Sequence, residues 1–183
     1  MSPPAPILVL APPGGLGRLC DLACGTGRFL SHLAEAGTPP EAYLGLDISA
    51  AAIARAREAH PPARFPAARF EVRDLLAEPP RERFTHVVAN GLFTVKDSLA
   101  HEEMWDFMVR MVTAMWGLAE RGIAFNVMSD VVDWRRDDLF HVPTDRLLAF
   151  LYRLAGRRVV IRSDYGIYEY TAYVYREGPS ARG

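Results

Sequence analysis

The chain of 183 residues contains no glutamine, two asparagines (Asn90 and Asn126) and a single lysine, Lys96, among 21 basic residues. Its two cysteines, Cys20 and Cys24, are too few for a disulfide framework, and no further soft ligands stand near them at zinc spacing. No apolar run reaches the roughly 18 residues that a membrane-spanning helix needs. A basic surplus is missing too. The net charge of -1 leaves nothing to drive counterion release from a phosphate backbone, which argues against nucleic acid as the main partner. The opening Met1-Ser-Pro-Pro-Ala-Pro lacks a basic region, and the apolar stretch 7–10 is too short for a signal core. The expectation is a cytoplasmic protein in a reducing compartment, with neither membrane nor nucleic acid as partner.

What is present is enough for one core. Half of the residues are hydrophobic and 23% are charged, and the length fits one domain. Residues 1–17 hold five prolines and three glycines and read as an irregular arm. From there strands and helices alternate. Strands are predicted over 18–23, 43–46, 70–72, 85–89 and 122–128. Helices are predicted over 26–36, from Ser49 to about residue 59, over 101–119 and over 144–155. The chain closes with strands over 158–162 and 168–175, joined by a turn at 163–166, and a tail over 177–183. Alternation of this kind makes a parallel sheet covered on both faces. The last two strands are joined by too short a turn for a crossover, so they must be antiparallel. The expected fold is α/β: a three-layer, Rossmann-like, mostly parallel sheet of seven strands with an antiparallel C-terminal strand, in one domain over 18–176.

In open sheets of this class, ligands bind beyond the carboxyl ends of the strands. After the first strand comes Asp21-Leu-Ala-Cys-Gly25-Thr-Gly27. The two glycines permit positive φ and close approach of a ligand to the backbone, and the following helix start favours an anionic group. A lone G-x-G is a weak signal. It gains weight because Asp47 ends the second strand, where a carboxylate can accept both hydroxyls of a ribose. A dinucleotide site would place a third glycine where Leu30 stands, and the chain has no phosphate-cradling G-x-x-x-x-G-K-[ST]. A nucleoside-type ligand without a pyrophosphate is the reading; an NAD-dependent oxidoreductase is disfavoured by Leu30.

Taken together, Asp21-Leu-Ala-Cys-Gly-Thr-Gly27, Leu44-Gly-Leu-Asp47-Ile-Ser, Phe70-Glu-Val-Arg-Asp74-Leu and Val87-Val-Ala-Asn90-Gly-Leu-Phe93 resemble, in order, the four motifs of class I S-adenosylmethionine-dependent methyltransferases. The closing hairpin is similar to that family's antiparallel seventh strand. The resemblance implies S-adenosylmethionine as cofactor and assigns roles by position. Asp21 would meet the methionine amino group. Ala23, Gly25, Thr26 and Gly27 would form the loop on which the cofactor lies. Asp47 would hold the ribose, Ile48 would pack on the adenine, Asp74 and the backbone of Leu75 would read its edge, and Asn90 would lie beneath the methionine portion. Ala23 departs from the family, many of whose members have glycine there. A second departure is the short arm before the first strand, where many relatives carry helices; an uncovered patch there is a place for a dimer mate.

The acceptor side is less legible. Asn90-Gly-Leu-Phe93 keeps the ends, but not the prolines, of the N-P-P-[YF] signature of methyltransferases acting on amide or adenine nitrogen, so N-methylation is one alternative. A non-catalytic subunit that holds the cofactor is another. The loop 129–141 carries four aspartates, Trp134, Arg135, Arg136 and His141. As a binding loop it offers Trp134 to an acceptor ring, Arg135 or Arg136 to an anion and His141 as general base; as a plain turn it is a solvated set of ion pairs. No ligand spacing among its aspartates supports a metal. Phe93 and Tyr165 are further candidates for the pocket wall. Met104, Met108, Met111 and Met115 repeat at helical spacing, which reads first as a core stripe. Residues 124–128 and 168–176 resemble a narrower group of small stand-alone methyltransferases, which implies a small-molecule acceptor, a sugar or metabolite hydroxyl.

Overall fold

The computed structural model describes residues 15–176. Most of the proline-rich arm and the whole of the tail 177–183 lie outside the described residues, as does the apolar stretch 7–10. In chain order the elements are β1 (Arg18–Leu22), α1 (Arg28–Glu35), β2 (Ala42–Asp47), α2 (Ala50–Ala59), β3 (Ala68–Val72), β4 (Phe84–Phe93), α3 (His101–Leu118), β5 (Ala119–Ser129), β6 (His141–Val142), α4 (Thr144–Ala155), β7 (Val159–Arg162) and β8 (Glu169–Tyr175). The sheet runs β3-β2-β1-β4-β5-β8-β7. All pairings are parallel except those of β8, which lies antiparallel between β5 and β7. The expected seven strands are all there. The eighth, β6, is two residues long and pairs with the end of β5, too short to leave a periodic trace in the sequence.

Strand order reverses between β1 and β4, because β2 and β3 step one way from β1 and the later strands step the other. That reversal opens a crevice at the carboxyl edge between them. Each face of the sheet is buried under two helices. Leu30 and Leu33 of α1 and Ile53 of α2 pack on the face that carries Leu19, Val88 and Tyr173. Met108 and Val112 of α3 and Leu147 and Leu151 of α4 pack on the opposite face, over Val87, Ile123 and Val174. The methionine repeat is therefore core: Met104, Met108, Met111 and Met115 are all buried.

Helix ends follow local chemistry. Ser49 caps α2 through a hydrogen bond from the Ala52 amide at 3.2 Å. Glu103 accepts from the Ala100 amide at 2.8 Å at the start of α3. Gly156, at φ +73°, stops α4. Four strands run longer than predicted, β2 and β3 by two residues each and β4 and β5 by more. β5 begins directly where α3 ends, with no intervening loop, and Ala119 already pairs with Phe84. β4 continues past Ala89 through a bulge, in which Gly91 takes φ +81° and its amide is satisfied by a side chain, the Asn126 Oδ1 at 2.7 Å. No helix among the described residues is long and apolar enough to cross a membrane.

Since Met108 is wholly buried between α3 and the sheet, Met108→Ala is expected to lower stability by about 2–5 kcal/mol. Arg110→Ala, on the exposed side of the same helix, should change it by less than about 0.5 kcal/mol. Urea denaturation of the two variants makes the comparison.

Candidate functional site

The turn after β1 is built from left-handed backbone. Ala23, Gly25 and Gly27 have φ of +52°, +54° and +78°. The turn is tied to β2, since the Cys24 amide donates to the Leu46 carbonyl at 3.1 Å. The Gly25 amide donates to Asp47 Oδ2 at 2.9 Å, and the Ser49 amide donates to Asp47 Oδ1 at 2.8 Å. Asp47 therefore clasps the β1 turn and the start of α2 together, with both oxygens already oriented. The two glycines of G-x-G have different reasons to be glycine. A Cβ on Gly25 would meet nothing within 4 Å, so that position faces open space at the edge of the sheet. A Cβ on Gly27 would come within 2.7 Å of the His60 ring. That ring is fixed between helices, with Nδ1 at 2.9 Å from the Ala56 carbonyl and Nε2 at 2.8 Å from the Ser31 hydroxyl. Gly27 thus gives the close packing that a dinucleotide site takes from a third glycine, and Leu30 is left as a core residue.

Beside the turn lies a cleft of about 500 Å³, lined by Asp21, Ala23, Cys24, Gly25, Thr26, Arg28, Phe29, His32 and Asn90. Five of the ten predicted cofactor residues share it. Asp21 is 2% exposed. Its carboxylate accepts from the Tyr43 hydroxyl at 2.5 Å. Burial, with a smaller contribution from the Asp47 charge and against the pull of the Tyr43 hydrogen bond, raises its pKa to about 7. A buried acid in that state is balanced between its neutral and charged forms near neutrality, and a cation in the cleft would tip it to the anion.

The remaining cofactor candidates lie along the same edge. Ile48 follows Asp47 and is 78% exposed, an apolar side chain without an apolar cover. Asp74 and Leu75 follow β3; Asp74 is exposed and accepts from the Leu76 amide at 2.8 Å, while the Leu75 side chain is buried. A second cavity of about 500 Å³, at the β3 edge, holds none of the candidates. Two of its arginines are held by ion pairs, Arg69 with Glu82 and Arg73 with Glu71.

The acceptor candidates scatter. His141 is buried at the start of β6, with Nδ1 at 2.7 Å from the Ser129 carbonyl and Nε2 facing the Arg136 amide at 3.5 Å. Both ring nitrogens are engaged, so the ring pins the loop 129–141 to β5. Phe93 is 0% exposed and packs edge-on against Phe107 and Phe125. It is a core residue because the bulge at Gly91 returns β4 to the sheet, and it does not line the cleft. Arg135 donates to the Asp130 carbonyl at 3.1 Å, and Arg136 is paired with Asp138. Trp134 remains 56% exposed. The Tyr165 hydroxyl shares a hydrogen bond of 2.9 Å with Thr171. Residues outside the sequence candidates complete this side. Asn126 Nδ2 donates to Glu169 Oε2 at 2.6 Å, and Thr94 donates to Glu169 Oε1 at 3.4 Å. Glu169 left no signal in the sequence, since its partners come from other strands.

Ala23 carries a Cβ in a conformation that costs an L residue about 1–2 kcal/mol. Ala23→Gly is expected to raise stability by about 1 kcal/mol and the Tm by roughly 2–4 °C, read by differential scanning calorimetry. Asp21 binds its proton more tightly in the folded than in the unfolded chain, so its contribution to stability is fully present below about pH 4 and is lost as pH rises through about 7. Asp21→Asn, which keeps an acceptor for Tyr43, should therefore gain on the wild type between pH 5 and pH 8 by up to roughly 2.5 kcal/mol. Urea titrations at the two pH values read that difference.

A family model described as a methyltransferase domain matches residues 19–114. The Mycobacterium tuberculosis H37Rv protein Rv1506c, whose name assigns it provisionally to the methyltransferases, is 28% identical over 160 residues, covering 84% of this chain and 90% of its own. Among solved structures, the magnesium protoporphyrin IX methyltransferase ChlM of Synechocystis PCC 6803 with bound SAM superimposes with a TM-score of 0.64 at 19% identity, over 93% of this chain and 75% of that one. An S-adenosylmethionine-dependent methyltransferase of Clostridium acetobutylicum ATCC 824 gives 0.63 at 12% identity, over 89% and 85%. With the family match covering the β1 turn, the Asp47 clasp and the strands that frame the cleft, the chain belongs to the methyltransferase domain family and is a class I S-adenosylmethionine-dependent methyltransferase.

Proposed function

We propose that the cleft beside the β1 turn receives the methionine end of S-adenosylmethionine, and that the methyl group passes to a hydroxyl of a small, uncharged acceptor such as a sugar or another polyol. The observation that carries the reading is the pair formed by Gly25 and Asp47: an open left-handed glycine and a carboxylate with both oxygens held in place at the strand-order reversal. The residues present fit the cofactor. Its cationic end matches Asp21, its ribose matches Asp47, and its adenine matches the uncovered Ile48 on one face and Asp74 with the Leu75 amide at the edge. S-adenosylmethionine, when bound, supplies an electrophilic methyl on a good leaving group, so the chain is required to align and desolvate rather than to activate strongly.

This chain's part of the reaction is accordingly one of placement. The left-handed turn and Gly25 let a ligand lie against the backbone. The Asp47 clasp keeps that turn in register with β2. Asn90, exposed at the cleft beside the Gly91 bulge, is placed for the methionine portion. The uncharged acceptor is supported by the loop 129–141, whose Arg135 and Arg136 are engaged by neighbours, while in the cleft itself the Asp21 carboxyl is balanced by Arg28. Buried Phe93 removes the aromatic wall that an N-P-P-[YF] nitrogen site uses, which favours oxygen over amide or adenine nitrogen. Trp134 and Tyr165 remain the side chains offered to an acceptor.

Titration calorimetry with S-adenosylhomocysteine tests the reading. Asp47→Ala should weaken binding by about 10- to 100-fold through loss of two hydrogen bonds to a charged group. Gly25→Ala should fold and yet bind poorly, because its methyl occupies the space over the turn. Absence of wild-type binding at millimolar ligand would refute the assignment of the cleft.

A further inference from the structure

We propose that Tyr43 is a positioning residue for cofactor capture: its buried hydroxyl holds Asp21 in one orientation and favours its carboxylate over its neutral form, so that Asp21 presents a carboxylate to the ligand's ammonium group. The inference rests on the cofactor assignment above and concerns a residue outside the four sequence motifs. It starts from register. Asp21 on β1 pairs with Gly45 on β2, and Leu19 pairs with Tyr43. Tyr43 is thus the diagonal cross-strand neighbour of Asp21 on the same sheet face, and it donates to Asp21 Oδ2 at 2.5 Å. Phe70 packs against the Tyr43 ring at 5.6 Å between centroids and fixes it. A Cβ on Gly45 would press within 2.7 Å of Phe70, so Gly45 is needed for this packing. One carboxylate oxygen is spent on Tyr43, while Asp21 also lines the cleft.

The other groups around Asp21 oppose its charge or leave it unchanged. Asp47, at the end of β2, is a like charge. Cys20 on β1 and Cys24 in the turn have their thiols pushed up by burial and by Asp21 itself, and stay neutral. Val88, its register partner on β4, has no polar group. Arg28 and His32 of α1 and Asn90 of β4 line the same cleft. Among the described residues, Tyr43 is the one hydrogen-bond donor directed at the Asp21 carboxylate. Without it, burial would leave Asp21 protonated over a wider pH range, and a protonated acid attracts no ammonium group.

The test is calorimetric titration of S-adenosylhomocysteine between pH 6 and pH 8.5. Wild-type affinity should rise over this range as Asp21 ionises. In Tyr43→Phe, which preserves ring volume, the rise should move upward by about one pH unit, giving a loss of about tenfold at pH 6 that narrows to less than about twofold by pH 8.5. A purely structural role would lower affinity equally at every pH, and that outcome, like an unshifted profile, overturns the proposal. Asp21→Asn gives the second measurement. It should remove the rise. Adding Tyr43→Phe to Asp21→Asn should then change nothing further. A wild-type rise persisting in Asp21→Asn also overturns the proposal. Failure of the wild type to bind at any pH would instead refute the cofactor site, which keeps the two failures distinct.

Discussion

The hydrogen bonds that converge on Asp47 hold the binding edge together. From β2 this carboxylate accepts the Gly25 amide of the β1 turn and the Ser49 amide that leads into α2. The β1 turn and the β2–α2 connection are thereby fixed relative to one another, and the open space over Gly25 becomes a cleft floor. Charge-assisted bonds of this kind are stronger than neutral ones. They also hold the carboxylate for a ligand, since each oxygen retains acceptor capacity.

At the same edge, burial and hydrogen bonding act in opposite directions on one carboxyl group. Asp21 is buried deeply enough for desolvation to oppose its ionisation, and a single tyrosine hydroxyl acts against desolvation. A fully hydrated aspartate would be anionic at all relevant pH but would bind weakly, because water screens it. A buried aspartate without a donor would be neutral. The β1–β2 register that sets Tyr43 diagonal to Asp21 lies between these extremes. On the acceptor side, the bulge in β4 exposes Asn90 and sends Phe93 into the core, and the Asn126 amide stands in for the missing ladder partner of Gly91. The energetic cost of the irregular backbone is offset by side-chain hydrogen bonds from β5 and β8.

Much of the β1 turn and its approach to the end of β2 was legible in the primary structure because its parts are local. A turn that needs positive φ selects glycine at Gly25 and Gly27, and a carboxylate at a strand end is visible as Asp47. The separate reasons for the two glycines were not legible, since His60, which excludes a Cβ from Gly27, belongs to the end of another helix. Acceptor candidates were read less well for the same reason. His141 and Phe93 carry suitable chemistry, but burial commits them, one to the Ser129 carbonyl and the other to the ring cluster with Phe107 and Phe125.

The order of amino acids alone determined the alternation of strands and helices, the antiparallel return at the C-terminus, the methionine stripe as core and the placement of an acid at the end of β2. Each follows from periodicity, turn length or spacing within a short segment. Tertiary structure alone decided that β8 inserts between β5 and β7, that two residues of β6 join the sheet, and that Tyr43 donates to Asp21 and Asn126 to Glu169. Such choices depend on which strands become neighbours and in what register. A one-residue change of register turns every side chain to the opposite face, so these contacts exist only once the sheet is assembled.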